Sequence, residues 1–340
     1  MKAAVLCAPK HVEELDIPLP ETGPGQTLVQ VSYSGICGTD LKIFQGGIPV
    51  QYPRVMGHES IGHVTHSEVL PTDTPVIVDP AYFCGVCFHC RKGQTHICPN
   101  GGLIGRDVDG GFADYVVAPS RNIHPIPQSI NAAEAPLLQP MTTCLHAQRL
   151  SHICPGESVI VQGLGVTGLL HIQLAKAHGA YPVIGITRSA WKRDLALQIG
   201  ADYAFAPDDD SLQNVLQLTN GRGADLVIES VGKLSILAQA IDLVRIGGRI
   251  LLFGIYTATE GQLPFYKLYY KEIQIINSRV AKPEDFPQCI DFVEHGVVKL
   301  QPLISHILQL GEMDQALGML NSEDSRRMKI ILQHTANQAT

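Results

Sequence analysis

The chain has 340 residues, of which 45% are hydrophobic and 17% charged, a composition typical of globular proteins and long enough for two domains. Its formal net charge of −7 disfavours a nucleic-acid partner, and no apolar run of about eighteen residues predicts a membrane span. The start, MKAAVLCAPK, lacks the apolar core and cleavage site of a signal peptide, and nine cysteines cannot all pair. We therefore expect a cytoplasmic protein with reduced thiols and no membrane contact.

The first 140 residues predict a β-rich lobe, since no long helical period occurs before about residue 130. The strand candidates are LVQVSYS (28–34), PVIVDP (75–80) and ADYVVAP (113–119). The first of these alternates, with Val29, Val31 and Tyr33 on one face and Ser32 and Ser34 on the other. Turn residues bound each candidate.

Four cysteines follow in a loop, with two, two and seven residues between neighbours: Cys84, Cys87, Cys90 and Cys98. This spacing lets one loop present four sulfurs tetrahedrally to a structural zinc ion. Disulfides fit poorly in a reducing compartment, and a ferredoxin-type iron cluster needs three residues before the last cysteine. A thioredoxin-like redox pair would need only two cysteines. The pattern favours zinc, and a closed four-sulfur site leaves no position for substrate.

From about residue 155 the pattern changes to alternating strands and helices. The predicted strands are SVIVQ (158–162), PVIGI (182–186), DLVIE (225–229), RILLF (249–253) and IQIIN (273–277). The predicted helices span 167–178, with Gly179 as C-cap, and about 190–199, 211–219 and 234–245. This alternation predicts a doubly wound parallel sheet. One or two helices, a few strands and a polar tail, QHTANQAT, complete the chain.

A glycine-rich turn, VQGLGVTG, lies between the first strand and the first helix of this region. Gly163 makes the tight turn, Gly165 lets the backbone approach a pyrophosphate, and Gly168 allows close packing of helix on strand. Backbone N–H groups of the helix start, at Val166 and Thr167, would face the phosphates. A three-glycine match alone is weak, but the strand–turn–helix context favours dinucleotide binding.

The residue after the second strand of this sheet indicates which dinucleotide is bound. An NAD site usually places a carboxylate there, but this chain has Thr187, followed by Arg188, Lys192 and Arg193. A neutral residue beside cations favours the 2′-phosphate of NADP over NAD. The alternative is that these cations merely form a solvated helix start.

Two short motifs in the first lobe carry candidate reactive residues. GICGTD contains Cys37, Thr39 and Asp40, and MGHES contains His58 and Glu59. Singly, the cysteine could be a small buried apolar residue and the histidine an ordinary core residue. Together, a thiolate, an imidazole and a carboxylate suit a catalytic zinc, because three ligands leave one position for substrate.

These motifs, in their order, resemble the zinc-dependent medium-chain dehydrogenases of the alcohol dehydrogenase superfamily, nearest the polyol, threonine and sugar-acid branch. The matching segments are CGTD, GHE, the cysteine loop, DGGFADY (109–115) and GLGVTG. The resemblance implies an α/β protein with a GroES-like catalytic domain, residues 1–145 and 277–340, and a Rossmann domain, residues 146–276. It also implies a homodimer or homotetramer, often joined through Rossmann edge strands.

The family resemblance also implies roles for individual residues. Cys37 and His58 would bind the catalytic zinc, and Glu59 would be a third ligand or a neighbour that exchanges with water. Thr39 would hydrogen-bond the reacting oxygen, and Asp40 would orient the imidazole ring. Zinc would favour the alkoxide form of a bound alcohol, whose carbon would then transfer hydride to the nicotinamide.

Two positions depart from the family pattern, and a third is a weaker candidate. Lys42 stands where many relatives have a histidine, and could contact cofactor phosphate, relay protons or simply be solvated. Gln139 stands where the family has glutamate or cysteine, and we expect its amide to hydrogen-bond the metal-bound water and leave the centre less negative. Arg279 is a further cofactor candidate.

The sequence thus predicts an NAD(P)-dependent alcohol or polyol dehydrogenase with two zinc ions per chain, acting on a small alcohol or carbonyl compound. One alternative is a zinc-free NADPH quinone or enone reductase on the same scaffold. The other is a catalytically inactive nucleotide-binding relative. Loops form the walls of the substrate pocket and determine which alcohol is bound.

Overall fold

The computed structural model describes residues 1–322 and 326–334, so most of the predicted polar tail lies outside the described residues. The chain divides into two compact units. The first contains Met1–Pro140, Lys282–Glu294 and the described residues from Leu300 onward. The second contains Met141–Ala281 and His295–Lys299.

The first unit is built mainly from strands. These are β1 (Lys2–Ala8), β2 (His11–Asp16), β3 (Gln26–Ile36), β4 (Arg54–Val55), β5 (Glu59–His66), β6 (Pro75–Val78), β7 (Ala81–Tyr82), β8 (Gly102–Leu103), β9 (Tyr115–Pro119) and β10 (Ile123–Pro125). The largest sheet continues from the order β10-β6-β5-β3 into two C-terminal strands, first β18 (Lys329–Gln333) beside β3 and then β17 (Ile304–Gln309) beside β18. Strand β9 also pairs with β3.

The long strand β3 is more deeply buried than its alternation indicates. Ser32 and Ser34, on the polar face, are as buried as Val31. The hydroxyl of Ser34 lies 2.8 Å from Nε2 of His334, which is itself fully buried. The C-terminal strand β18 pairs antiparallel with β3, and therefore places polar partners there that local sequence does not indicate.

Short helices accompany these strands, and the first and the last of them close one apolar core. They are α1 (Gly38–Phe44), α2 (Phe88–Arg91), α9 (Asp285–Glu294) and α10 (Met313–Asn321), with 3₁₀ turns at Thr95–Ile97, Ser120–Asn122, Ala135–Leu137, Gln301–Leu303 and Leu310–Glu312. In this core Ile43 of α1 and Leu317 of α10 pack with Leu6, Phe112 and Ile330, all nearly inaccessible to solvent. The core lies directly behind α1, and so it fixes the residues that start that helix.

The second unit contains a six-stranded parallel sheet. Its strands are β11 (Val159–Gln162), β12 (Val183–Ile186), β13 (Tyr203–Phe205), β14 (Ala224–Glu229), β15 (Val244–Leu252) and β16 (Gln274–Asn277). The order is β13-β12-β11-β14-β15-β16, and every pair is parallel. The order reverses between β11 and β14, and in such sheets ligands bind outside the carboxyl ends of the strands at this point.

Helices alternate with these strands, as the apolar periodicity predicts. They are α3 (Leu138–Ser151), α4 (Val166–Ala177), α5 (Ala190–Gln198), α6 (Asp209–Leu218), α7 (Leu234–Leu243) and α8 (Phe265–Tyr270). Ile160, Ile184 and Val227 of the sheet form a core with Leu237 and Ile241 of α7. The C-cap of α4 is His178 rather than the predicted Gly179, which follows it and takes the left-handed conformation at φ +82° that ends such a helix.

The predicted fold class, a GroES-like β-rich domain with a Rossmann-type parallel sheet, is confirmed. Strand β15 begins five residues earlier than the predicted strand RILLF (249–253), because its irregular start pairs Val244 with Ala224.

The domain boundaries at residues 145 and 277 remain predictions. Within residues 1–322 and 326–334, the helices are too short or too polar to cross a bilayer.

Candidate metal centres and cofactor site

Cys37 is held by the end of a strand and the start of a helix. It follows the last residue of β3 and is the N-cap of α1, with extended backbone at φ −108° and ψ 156°. The backbone N–H of Cys37 donates to Oδ2 of Asp40 at 2.8 Å, which fixes the turn. The thiol is partly exposed, whereas Asp40 is fully buried.

His58 lies immediately before β5 and faces the same carboxylate. Its Nδ1 atom is 3.2 Å from Oδ1 of Asp40, which leaves Nε2 as the ring atom that can bind a metal. Burial lowers the pKa of His58, but the charges of Asp40 and Cys37 outweigh this effect, so that the pKa is raised well above its usual value. The negative groups that stabilise the protonated ring would also stabilise a metal cation bound to Nε2.

Glu59 is the first residue of β5, and it pairs with a lysine far away in sequence. Lys329 Nζ lies 2.7 Å from Oε1 and 2.6 Å from Oε2 of Glu59, and also donates to the carbonyl oxygen of Ile36 at 3.2 Å. Burial lowers the pKa of Lys329, but the charges of Glu59 and Cys37 raise it by more. A Cβ atom on Gly35 would lie 2.1 Å from Oε2 of Glu59, so only glycine leaves room for this carboxylate.

Cys37, His58 and Glu59 together form a group that could hold a metal ion. One ligand atom from each lies within 4.8 Å of the others. A thiolate, an imidazole and a carboxylate are the donor types of catalytic zinc sites, where a fourth position serves water or substrate. The donor chemistry and the spacing therefore fit zinc.

The four cysteines of the predicted structural site also converge. The Sγ atoms of Cys84 and Cys98 are 3.5 Å apart, those of Cys87 and Cys98 3.7 Å, and those of Cys84 and Cys90 3.9 Å. A zinc tetrahedron with Zn–S bonds of about 2.3 Å has S···S edges of about 3.8 Å. The four thiols are free, so the disulfide alternative does not fit.

Backbone hydrogen bonds prepare one of these thiols for metal binding. N–H groups of Val86 and Cys87 lower the pKa of the Cys84 thiol to about 6, whereas burial and its neighbours raise that of Cys90 to about 12. The opposite directions arise because backbone N–H groups stabilise the Cys84 thiolate, whereas burial favours the neutral thiol of Cys90. A metal ion would replace the thiol protons, since thiolates are the ligand form.

The glycine-rich turn has the geometry that a dinucleotide requires. Gly163 has φ +88°, and a Cβ atom on Gly168 would lie 1.9 Å from the carbonyl oxygen of Gly163. Among the described residues, only the chain neighbours of Gly165 and the backbone of its own helix approach within 4 Å of its Cβ position, so space for a phosphate is kept beside this N-cap of α4. Val166 and Thr167 form the first turn of that helix.

The predicted 2′-phosphate residues cluster after β12. Arg188 is exposed, while Nη1 of Arg193 donates to the carbonyl oxygens of Thr187 and Arg188, both at 2.9 Å. Lys192 lies over the ring of Trp191, 5.3 Å from its centroid. Arg193 therefore supports the loop through its hydrogen bonds to the backbone. Arg188 is exposed, so its guanidinium group can contact a ligand.

A cavity of about 240 Å³ lies beside this cluster, in the same unit. Gln162, Ile186, Pro207, Ser211 and Gln239 are among its lining residues. The buried Oε1 atom of Gln162 has no hydrogen-bond partner among the described residues. Sequence reasoning missed this side chain, although its place directly before Gly163 was a usable signal.

A larger cavity of about 580 Å³ in the first unit is lined by residues such as Ile17, Tyr82 and Tyr115, and by none of the predicted site residues. Of the remaining candidates, Thr39 and Lys42 are partly exposed on α1. Gln139 is buried in the first turn of α3, and Arg279 is exposed.

Lys329 is the functional residue that sequence reasoning missed most clearly. It lies 270 positions from Glu59, and no local motif surrounds it. Its lysine charge within a short apolar strand, KIILQ, was the one available signal, because a lysine on a buried strand needs a partner.

Comparison with known proteins agrees with these sites. Residues 23–128 match the family described as "Alcohol dehydrogenase GroES-like domain", and residues 166–295 match "Zinc-binding dehydrogenase". The chain is 37% identical over 318 residues to an L-threonine 3-dehydrogenase of Pyrococcus horikoshii, covering 90% of this chain and 91% of the relative. It is 31% identical over 329 residues to a sorbitol dehydrogenase of Halalkalibacterium halodurans, covering 95% of each.

A solved structure gives the same result. A protein described as a zinc-binding dehydrogenase from Sinorhizobium meliloti, bound to NADP, aligns with a TM-score of 0.92 and 30% identity over 98% of each chain. The fold and the donor sets thus define a zinc-binding oxidoreductase. The chain belongs to the zinc-type medium-chain dehydrogenases, in the polyol and threonine dehydrogenase branch.

The predicted class of enzyme is therefore confirmed: an alcohol or polyol dehydrogenase that acts on CH–OH groups of small molecules. The prediction that the protein uses zinc and a nicotinamide cofactor is also confirmed.

Proposed function

We propose that this chain oxidises a small secondary alcohol carrying a polar group on the adjacent carbon, with NADP as the hydride acceptor. The observation that carries the proposal is the convergence of Cys37, His58 and Glu59 within 4.8 Å. The relatives named for sorbitol and threonine support the substrate class, since both compounds contain such an alcohol.

The residues of the first unit would share the work of activating the alcohol. A zinc ion held by Cys37, His58 and Glu59 would act as a Lewis acid on the alcohol oxygen and make its proton more acidic. Asp40 would keep the His58 ring in one tautomer through Nδ1, and Lys329 would hold the Glu59 carboxylate in place. The hydroxyl of Thr39 would accept the alcohol proton and pass it to solvent.

The residues of the second unit would bind the cofactor. The turn at Gly163–Gly168 would hold the pyrophosphate, and Arg188 would pair with the 2′-phosphate beside the neutral Thr187. The cavity lined by Ile186 and Pro207 lies next to Thr187 and would take the adenine ring. The alcohol substrate would lose one hydride to NADP⁺ and one proton to solvent, giving a ketone and NADPH.

We also propose two zinc ions per chain, with the second at Cys84, Cys87, Cys90 and Cys98, and a homodimer or homotetramer. An exposed edge strand supports self-association: β16 ends the parallel sheet, and Tyr266 and Tyr269 of the preceding helix are 75% and 82% exposed. Cytoplasmic location remains a prediction from the sequence.

A substrate screen tests the proposal. Zinc-loaded protein is assayed with polyols, sugar acids, threonine and simple secondary alcohols, each with NAD and with NADP. We expect turnover with at least one vicinally substituted alcohol and a lower kcat/KM for 2-propanol. No oxidation of any of them with either cofactor would contradict the proposed function.

A further inference from the structure

Glu229, a residue that the sequence marks only as the end of a strand, is a buried carboxylate that accepts hydrogen bonds. Its Oε1 atom accepts from the N–H groups of Val231 at 2.8 Å and Gly232 at 2.9 Å. Its Oε2 atom accepts from Gly232 at 3.1 Å and from the hydroxyl of Tyr256 at 2.7 Å. All of these partners donate, so the arrangement suits a carboxylate anion.

Glu229 joins two loops at the carboxyl edge of the parallel sheet. Val231 and Gly232 belong to the loop after β14, and Tyr256 to the loop after β15. A Cβ atom on Gly254 would lie 2.1 Å from the backbone nitrogen of Gly232, so the two backbones are in direct contact. The backbone oxygen of Glu229 also accepts from Gly254 at 2.9 Å.

The loop after β14 is in turn fixed to the glycine-rich turn. Ser230 Oγ donates to the carbonyl oxygens of Gln162 at 2.9 Å and Gly163 at 2.8 Å. A Cβ atom on Gly163 would lie 2.5 Å from Cγ2 of Val231. Glu229 therefore supports the loop that borders the dinucleotide turn, at the point where the strand order reverses.

The charge of Glu229 is not neutralised by a cation among the described residues, since its partners are backbone N–H groups and one phenol. Burial, together with the hydrogen bond to this carboxylate, raises the pKa of Tyr256, so the phenol stays a donor. A buried anion attracts cations more strongly than a solvated one does. The nicotinamide ring is cationic only when oxidised.

We propose that Glu229 is a positioning residue of the cofactor site, which holds the loops after β14 and β15 against the glycine-rich turn, and whose charge favours binding of the oxidised nicotinamide over the reduced form. This inference rests on the proposed function, because it assumes that the second unit binds a nicotinamide dinucleotide. The adenosine half would lie toward β12, so the nicotinamide half would lie toward β14 and β15.

The test compares cofactor affinities of zinc-loaded, full-length variants. Dissociation constants for NADP⁺ and NADPH are measured by calorimetry and by NADPH fluorescence in wild type, Glu229→Gln, Glu229→Asp and Tyr256→Phe. Zinc content and Tm are recorded for each. The matched control is Asp225→Asn, which removes a carboxylate from the opposite end of the same strand, where Asp225 bonds Ser158 and Arg245.

We expect Glu229→Gln to raise the ratio of the NADP⁺ to the NADPH dissociation constant by about three- to tenfold. Glu229→Asp should leave the ratio close to that of the wild type, because it keeps the charge. Tyr256→Phe should raise the dissociation constants of NADP⁺ and NADPH by the same factor, because it loosens the loops and keeps the carboxylate. This variant still tests the positioning role if Glu229→Gln does not fold. Asp225→Asn should lower Tm and leave both dissociation constants unchanged.

Two outcomes would overturn the inference. One is an unchanged ratio in Glu229→Gln, and the other is the same ratio change in Asp225→Asn. If the wild type bound neither NADP(H) nor NAD(H), the proposed function itself would fail, which is a distinct result.

Discussion

The ammonium group of Lys329 lies 2.6 Å and 2.7 Å from the two carboxylate oxygens of Glu59, and both side chains are buried. The pair joins the C-terminal strand β18 to the start of β5, where the candidate catalytic metal ligands converge. Breaking a buried ion pair from one side leaves a charge without compensation in a medium that solvates it poorly. Lys329 therefore contributes to the stability of the fold and also fixes the position of Glu59, a candidate metal ligand.

Replacing the lysine alone should be costly. We expect Lys329→Met to lower the free energy of unfolding by about 3–5 kcal/mol, measured by urea denaturation. The double variant Glu59→Gln/Lys329→Met should recover part of that loss. Lys176→Met, which breaks the more exposed pair with Asp202, is the control and should cost less than about 1 kcal/mol. Equal losses in the two single variants would argue against a buried, coupled pair.

Cofactor preference should depend on the charge at position 187. We expect Thr187→Asp to lower the kcat/KM ratio of NADP to NAD by at least about tenfold, because a carboxylate repels the 2′-phosphate and accepts from a 2′-hydroxyl. Thr187→Asn has the same size without the charge and should change the ratio little. Wild-type protein that used NAD as well as or better than NADP would contradict the preference itself.

Gln139 should set the pH dependence of turnover. On the hypothesis that Gln139 hydrogen-bonds the metal-bound water, a glutamate there would add negative charge near the substrate hydroxyl, which would then give up its proton only at higher pH. We expect the acidic limb of the kcat–pH profile to move upward in Gln139→Glu. Gln139→Met, which adds no charge, should not move it in that direction. An unshifted limb in Gln139→Glu would count against this role.

Two buried histidines should make the protein sensitive to acid. Burial lowers the pKa of His171 and of His334 to about 3. The unfolded chain binds these protons below about pH 6.5 and the folded chain does not, so stability is full above that pH and falls as the pH drops toward 3. Each residue contributes a loss of about 1.4 kcal/mol per pH unit within that window.

His171→Gln isolates one of these contributions. Between pH 7 and pH 5 the wild type should lose about 2 kcal/mol more unfolding free energy than this variant. Substitution of the exposed His66 by glutamine is the control, and its stability curve should run parallel to that of the wild type. Parallel curves for wild type and His171→Gln would show that the buried imidazole does not resist protonation.

The sequence predicted those features whose residues lie close together in the chain. The four cysteines within one loop and the glycines at 163–168 lie close in sequence, so their spacing contains most of the geometry. The roles of Cys37 and His58 needed the family resemblance, because helix α1, a loop and strand β4 lie between the two residues.

Long-range pairing could not be predicted in the same way. Lys329 reaches Glu59 only because Ile330 of β18 lies opposite Ile36 of β3, a register set by folding of the whole lobe. Ser34 is buried for the same reason, since His334 follows that strand. Glu229 looked like an ordinary strand end, because its partners lie on two separate loops.

The proposed catalytic zinc is tested most directly by the zinc content and turnover of the wild type, Cys37→Ser and Cys90→Ser, measured on fully loaded protein. We predict two zinc ions per wild-type chain and one in each variant, with turnover reduced by about a thousandfold or more in Cys37→Ser. A wild-type chain that held only the zinc bound by the four cysteines, or a Cys37→Ser variant with undiminished turnover, would contradict this prediction.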